Sequence, residues 1–564
     1  MMDPTAGTRT VSLCAPSRVS RANHPSGSAE GTSLATEILR RFRELPMDHT
    51  WTESLYSPSP VSLQGGLVYA NYGRPEDFNW LKTAGVSVIG CVVVVRVGGG
   101  VSFAEKVWLA ERNGAGGVLI YPDPADVPQD PRRLGLNTHT VHLGSGDPFT
   151  PGFPSFNHTQ FPPIQSSGLP LIPALPISAT VAAKLLSSGR RVKMSVHNVM
   201  TPVLLNNIFS SLEGRVEPDQ YIILGAQRDS LGPGAVKSGV GTAILLELAR
   251  TFSAMVKNGF SPRRSLLFVS WDAGEFGNVG ATEWLEGYLS MLHLKAVAYF
   301  SLDQAVMGNT KLSANHSRPP LICHMKPLYL NSGAYSFTAF AGVPAMELRF
   351  TEVTYPFINT QLDTASRLQE VLGGRLGVTG RGLGELVGEM VLRLAHDHIL
   401  PLRITSYAQT MLQFSAQLNK HSGPPQRLCL CPQSRGLSPQ WVFSARGDYS
   451  RAAETVQRAI DYSDLHDPAT ARLYNLRIMK VEYYFLSQYV SAVETPFRHV
   501  IHGRGDHTLG ALTEHLALLT SDPGRFNETR FRRQLALFTW TLQGAANGLN
   551  GDVWSIHNTH TYTH

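Results

Sequence analysis

The sequence is poor in cysteine, has no long apolar run and shows no concentrated stretch of either charge, and each shortage removes a class of function. Its five cysteines, Cys14, Cys91, Cys323, Cys429 and Cys431, are odd in number and scattered. No zinc-ligand spacing emerges, and Cys429-x-Cys431 lies in a Pro-rich connector without His ligands beside it, so disulfides cannot be assigned. No segment reaches the roughly 18 apolar residues of a membrane helix. Val86 to Val95 comes nearest, but it contains Gly90, meets Arg96 and reads as a buried strand. The amino terminus carries Arg9, Arg18 and Arg21 among many Ser and Thr, with no apolar core of signal-peptide length. A chain without span or signal peptide is expected to be soluble or intracellular. The formal charge of +6 and pI near 9.0 are spread along 564 residues. Arg190-Arg191, Arg263-Arg264 and Arg530 to Arg533 read as solvated faces, so no nucleic-acid partner is expected. Neither a Gly-x-Ser-x-Gly elbow nor a His-Glu-x-x-His helix occurs.

What is present is the composition of an ordinary globular protein, 43% hydrophobic and 16% charged. At this length roughly three to four domains are expected. The most organised stretch runs from Tyr221 to Asp303. Tyr221 to Leu224 is an apolar strand followed by the polar turn Gly225 to Ser230. Gly241 to Val256 places Ile244, Leu245, Leu248, Phe252, Met255 and Val256 on one helical face. Ser265 to Ser270 is a second buried strand, leading into Trp271-Asp272-Ala273-Gly274-Glu275-Phe276-Gly277. A helix over Thr282 to Leu294 precedes a third strand, Ala296 to Phe300. Such alternation predicts right-handed crossovers and a largely parallel sheet, with its ligand site beyond the carboxyl ends of the strands. Gln227, Gly274, Glu275 and Asp303 all fall at those ends.

The runs GAQRDSLGPGAVKSGVGTAILLELAR, SWDAGEFGNVGATEWLEGYL and SLDQAV resemble the transferrin receptor branch of the zinc-aminopeptidase-like glutamate carboxypeptidase superfamily. In active relatives, the resemblance implies, a His ends the first strand and a bridging Asp follows ten residues on. A Glu-Glu pair ends the second strand, an Asp the third, and a late His closes a two-zinc cage. Here Gln227 stands for the first His, Lys237 for the bridging Asp and Gly274 for the general-base Glu. Glu275 and Asp303 are retained, and Asn359 takes the place of the late His. Two zinc ions about 3.5–4 Å apart need imidazole and carboxylate ligands and a carboxylate to take the proton of the attacking water. This set does not supply them, and Lys237 would aim a cation at two cations. The expectation is a non-catalytic scaffold, with an active zinc metallopeptidase of the glutamate carboxypeptidase type as the alternative.

The expected fold class is α/β: an aminopeptidase-like parallel or mixed sheet with an inserted β-rich protease-associated (apical) domain and a carboxyl-terminal all-α helical bundle. The boundaries read as a flexible lead over 1–33, the start of the aminopeptidase-like domain over 34–64 and the inserted domain over 65–202. The main domain follows over 203–402 and the helical dimerisation domain over 403–564. Ser33 to Leu45 is helical. Strands over Gly66 to Ala70, Val86 to Arg96 and Gly117 to Tyr121, with a helix over Phe103 to Arg112, build the inserted module. From Gly308 to Ser332 the core pattern is short, as it is before Gly65, and the sheet edges there are expected to be incomplete. Helical spacing marks Tyr407 to Leu418, Ser450 to Ile460, Ala471 to Leu486, Leu509 to Leu519 and Phe531 to Leu549.

The resemblance also implies sites. A structural calcium-type site would join the inserted domain to the core through Thr150, the Phe153 carbonyl, Glu283 and Glu286, oxygen ligands suited to a hard cation. The residues alone favour Glu283 and Glu286 as ordinary exposed helix positions. No other cofactor is expected. Transferrin contacts map onto Phe443, Arg446, Gly447, Asp448 and Arg451, and one contact position, basic in some relatives, is Ala416. Arg446-Gly447-Asp448 is read as lying just before a helix starting near Ser450, with Asp448 as its cap and Arg446 and Tyr449 exposed. A second copy, Arg504-Gly505-Asp506, invites an integrin reading, ranked below transferrin. That copy and the stretches around Ser336 and Asp303 point to one branch of the family. Partners so implied are transferrin and a second copy of the chain, at the cell surface where the family acts. Sequons at Asn157, Asn315 and Asn527 fit an extracellular or lumenal chain. The His-rich tail, His557, His560 and His564, reads as a frayed end.

Overall fold

The computed structural model describes residues 14–53, 62–99, 101–126, 146–155, 168–188, 191–196, 203–308, 311–316, 324–326, 328, 332–351, 355, 357–422, 440–521 and 523–551. The expected strands and helices around the strand ends form, with shifted limits. The strand Glu217–Gln227 runs three residues into the expected turn, and Arg264–Trp271 and Ala296–Ser301 lie parallel to it on either side. Ala345–Thr351 adds a fourth parallel strand beside Ala296–Ser301. These strands are apolar on both faces because both faces are covered. Ile222, Leu224, Leu266 and Phe268 face a core with Ile244, Leu245 and Phe252 of the Val240–Lys257 helix, while Ile223, Leu267 and Val269 face Leu285 of the Val279–Lys295 helix. Each fully buried Leu or Phe stabilises by about 1.5–3 kcal/mol.

Among the described residues the sheet has eight strands and is mixed. His49–Glu53 and Asn207–Leu212 are added antiparallel at one edge, and Lys311–His316 and His324–Lys326 complete the other. The segment shortened in sequence therefore still supplies two strands.

Two expectations are corrected. The lead over 1–33 is not wholly flexible: Cys14–Val19 is helical, and Ser28 caps a helix over Ala29–Arg43, its hydroxyl accepting from Gly31 N. Glu30 in its first turn and Arg40, Arg41 and Arg43 in its last complement the helix dipole. The stretch 235–257 does reach the length and mean hydropathy, 1.3, of a membrane helix. With 61% of that window inside the fold, however, it is the central core helix of the domain. The inserted module forms as a sheet domain: among the described residues its strands Leu67–Tyr69, Val92–Arg96, Gly117–Tyr121 and Ala174–Pro176 are all parallel and packed by the helices Pro75–Thr83, Phe103–Arg112 and Ala179–Ser188. Ser62–Gly65 pairs antiparallel with Val192–Ser195 and so belongs with this module.

Candidate functional site

The strand ends bring five of the six positions that the resemblance singles out, Gln227, Lys237, Gly274, Glu275 and Asp303, into one place. The backbone N–H of Gln227 donates to Asp303 Oδ1 at 2.7 Å, and its side-chain amide donates to the Asp229 carbonyl at 3.0 Å. Lys237 sits in a π-turn over Ala235–Gly239, and its Nζ lies 3.6 Å from Glu275 Oε2. Both side chains are about nine-tenths buried. Gly274 is required by its neighbour: a Cβ there would fall 2.3 Å from Gln227 Cδ, so the amide fills the space beside it. Asn359 lies in a left-handed turn with φ 59° and is half-buried.

Sequence reasoning missed two further carboxylates. Asp229, 2% exposed, accepts from the N–H groups of Gly274 and Glu275 at 2.8 and 3.1 Å. Burial, then the negative charges of Asp272 and Glu275, raise its pKa. Asp363 Oδ1 accepts from Val236 N and the Tyr355 hydroxyl, each at 3.0 Å, and its carbonyl accepts from Ala235 N, which fixes the turn carrying Lys237. Burial pushes Asp363 up to about 6 and also raises Asp303, with Lys237 partly offsetting the latter. No periodicity marks these residues; only the fold gathers them. Ala273 and Gln304, next to Gly274 and Asp303, have φ of 51° and 52°. Left-handed backbone at non-glycine residues costs about 1 kcal/mol each. Among the described residues, no three or more His, Cys, Asp and Glu side chains are grouped to hold a metal ion.

A second site joins the inserted domain to the core. Glu283 and Glu286 are buried on the Val279–Lys295 helix, 1% and 8% exposed, so the reading of them as exposed helix residues falls away. Glu283 accepts from the N–H groups of Asp147 and Ser155, and Glu286 Oε1 from Gly152 N at 2.8 Å. Asp147, fully buried, accepts from the Ser155 hydroxyl at 2.8 Å. Burial raises both glutamates, and their mutual proximity adds to the shift at Glu286. Thr150 Oγ1 and Glu286 Oε2 are buried without a hydrogen-bond partner. One carboxylate oxygen and one hydroxyl left unsatisfied beside a second buried carboxylate are a donor set that fits a hard cation.

The helical region differs at the tripeptide. The helix Gln440–Asp461 is continuous through Arg446, Gly447 and Asp448, so it starts ten residues before Ser450 and Asp448 is not its cap. Asp448 instead pairs with Arg451 one turn on. Tyr449 is buried, its hydroxyl donating to the Ile404 carbonyl at 2.8 Å, and Arg446 is half-buried. The apolar pattern favours helix throughout, which outweighs the glycine penalty of about 1 kcal/mol. Phe443, Gly447 and Arg451 recur every four residues and share a face. Phe443 is half-buried, Arg451 is exposed, and Ala416 is exposed on the Ser406–Ser422 helix.

In the second copy, the Arg504 guanidinium lies 3.8 Å from the Trp108 ring centroid of the inserted domain, and Asp506 accepts from Arg530 at 2.6 Å. Neither copy is a free adhesion loop, which removes the basis for the integrin reading. Asn527 is exposed and caps the Glu528–Asn550 helix. Asn315 lies within a strand, opposite Glu347. Asn157 and the tail histidines lie outside the described residues, as do Cys323, Cys429 and Cys431.

A family model of Peptidase family M28 matches residues 207–377, and one of the PA domain matches residues 58–153. The chain is 47% identical to "Transferrin receptor protein 2" of Homo sapiens over 640 residues, covering 94% of this chain and 79% of that protein. It is 38% identical to "Transferrin receptor protein 1" of Gallus gallus over 634 residues, covering 96% and 79%. Among solved structures, a Peptidase M28 precursor from Shewanella amazonensis SB2B aligns with a TM-score of 0.47 at 15% identity, over 68% of this chain and 93% of that one.

Proposed function

The chain belongs to the transferrin receptor family, and from that premise we propose that it is a non-catalytic receptor homologue that binds iron-loaded transferrin. On this reading it serves iron uptake or iron sensing at a cell surface, as a homodimer paired through its helical domain. The observation that carries the non-catalytic part is the buried Lys237–Glu275 pair at 3.6 Å. An ammonium occupies the position of a bridging carboxylate, and the amide of Gln227 fills the room beside Gly274. No carboxylate at that position can take a proton from an attacking water.

The receptor part is supported by the Gln440–Asp461 helix. Arg451 is exposed, Trp441 is 76% exposed, and the Arg451 guanidinium lies against Gly447, where a Cβ would fall 3.2 Å from its Nη1. An Arg beside aromatics on a rigid helix is the composition of a protein–protein hot spot. The proposal extends to a structural calcium-type ion held by Glu283 and Glu286, with the Thr150 hydroxyl and the Phe153 carbonyl. When bound, such an ion would offset the buried carboxylates and fix the 147–155 loop to the core.

Titration of iron-loaded and iron-free transferrin onto the immobilised protein tests the reading. The iron-loaded form should bind tighter, and Arg446→Ala should weaken it at least tenfold with helix content unchanged. Equal binding by the variant, or none by the unmodified protein, would overturn the receptor assignment. A tightly held zinc pair with peptide turnover would establish the peptidase instead.

A further inference from the structure

The segment before the first long helix lies across the replaced metal cleft. The Cys14–Val19 helix packs on the π-turn that holds Lys237, on the start of the Val240–Lys257 helix and on the Ala365–Val371 helix. The backbone of His24 then makes a two-way antiparallel bridge with Ser230, each N–H donating to the other's carbonyl at 3.2 Å. The His24 ring is 3% exposed, with Nε2 at 3.1 Å from Ser238 Oγ and Nδ1 at 2.8 Å from the Ala22 carbonyl. Two residues on, Ser26 Oγ accepts from Ala273 N at 3.0 Å.

Ser230, Ser238 and Ala273 each lie within three residues of a replaced position: Gln227, Lys237 and Gly274. They belong to the two loops that rise from neighbouring parallel strands, and a ligand of such a sheet enters between those loops. Gln227, Lys237 and Asp303 beneath them are 5%, 8% and 7% exposed.

We propose that residues 14–28 form a strap that ties the two lips of the inherited cleft together and excludes a peptide chain from the strand ends. In a metallopeptidase with intact ligands, metal ions would bind the same loops to each other. Here the link is made by the two main-chain hydrogen bonds between His24 and Ser230, the Ala273 N–H bond to the Ser26 hydroxyl and the His24–Ser238 contact. The inference stands whether or not the helical domain binds transferrin.

Hydrogen–deuterium exchange on the full chain tests it. In a His24→Ala/Ser26→Ala variant, amides at Ser230, Ser238 and Ala273 should exchange at least tenfold faster. Amides in Val92–Arg96 and Gln440–Asp461 should keep their rates, as expected of a local opening. Unchanged exchange at the three lip positions would overturn the strap. If the variant unfolds globally, the unmodified chain decides. A His24 amide protected at least tenfold over a free peptide of residues 14–28 supports the strap, and one exchanging at the free rate ends it.

Discussion

Lys237 Nζ lies 3.6 Å from Glu275 Oε2 in a pocket where both side chains are about nine-tenths buried. A buried pair of this kind adds little against an apolar replacement of both partners, because desolvation offsets attraction. Breaking it is another matter, since one charge is left without compensation. Lys237→Met is expected to destabilise by about 3 kcal/mol, and Lys237→Met/Glu275→Leu to recover most of that loss. Denaturant unfolding of the three proteins checks it; equal stability of Lys237→Met and the unmodified chain would mean that the pair does not matter.

Gly274 and Gln227 compete for one volume. A methyl at Gly274 would meet Gln227 Cδ at 2.3 Å, so Gly274→Ala should cost about 1–3 kcal/mol through overpacking. Gln227→Ala in the same chain should relieve it. Gly274→Glu alone, although it restores the general-base residue type, should yield no peptide hydrolysis and lower the melting temperature. Turnover by that single variant would contradict the account of the cleft.

The junction of Glu283, Glu286 and Thr150 predicts a response to calcium. Millimolar calcium should raise the melting temperature of the unmodified protein, and Glu286→Gln should abolish the shift. Without calcium, Glu286→Gln should match or exceed the unmodified protein at neutral pH, because it removes a buried carboxyl whose ionisation burial opposes. Burial raises both carboxyls, so protons compete with the ion and the calcium effect should shrink on acidification. An identical calcium shift in both proteins would place the ion elsewhere.

Asp363 gives a pH prediction of definite sign. Its folded pKa, pushed up by burial to about 6, lies above the ordinary 3.8. The stability linked to it is fully present below about pH 4 and is lost as pH rises through 6, a difference of about 3 kcal/mol. Asp363→Asn should flatten that part of the stability profile. Unfolding midpoints between pH 4 and 7 measure it, and parallel profiles would refute it.

Arg504 over Trp108, with the Arg112–Glu514 ion pair at 2.8 Å, ties the inserted domain to the helical region. Arg504→Ala should cost about 1 kcal/mol and make the inserted domain more susceptible to limited proteolysis. Cell adhesion through this tripeptide should be absent in both proteins. Adhesion lost only in the variant would revive the integrin reading.

The sequence by itself determined the alternating parallel core, because strands covered on both faces must be continuously apolar and the intervening helices must carry an apolar stripe. It also determined which residue types stand at the strand ends, among them Lys237 and Gly274, side chains that supply no zinc ligand. It could not place Asp229 and Asp363 beside them, since carboxylates far apart in the chain leave no periodic trace. Nor could it show that Arg446 to Asp448 continue a helix, because a local Gly-Asp turn signal is outweighed only by packing of the whole helix, Tyr449 included. Tertiary structure alone decided that residues 14–28 cross the cleft. The segment has no apolar periodicity, and its main-chain hydrogen bonds and polar side-chain contacts have partners only once two distant strand ends are brought together.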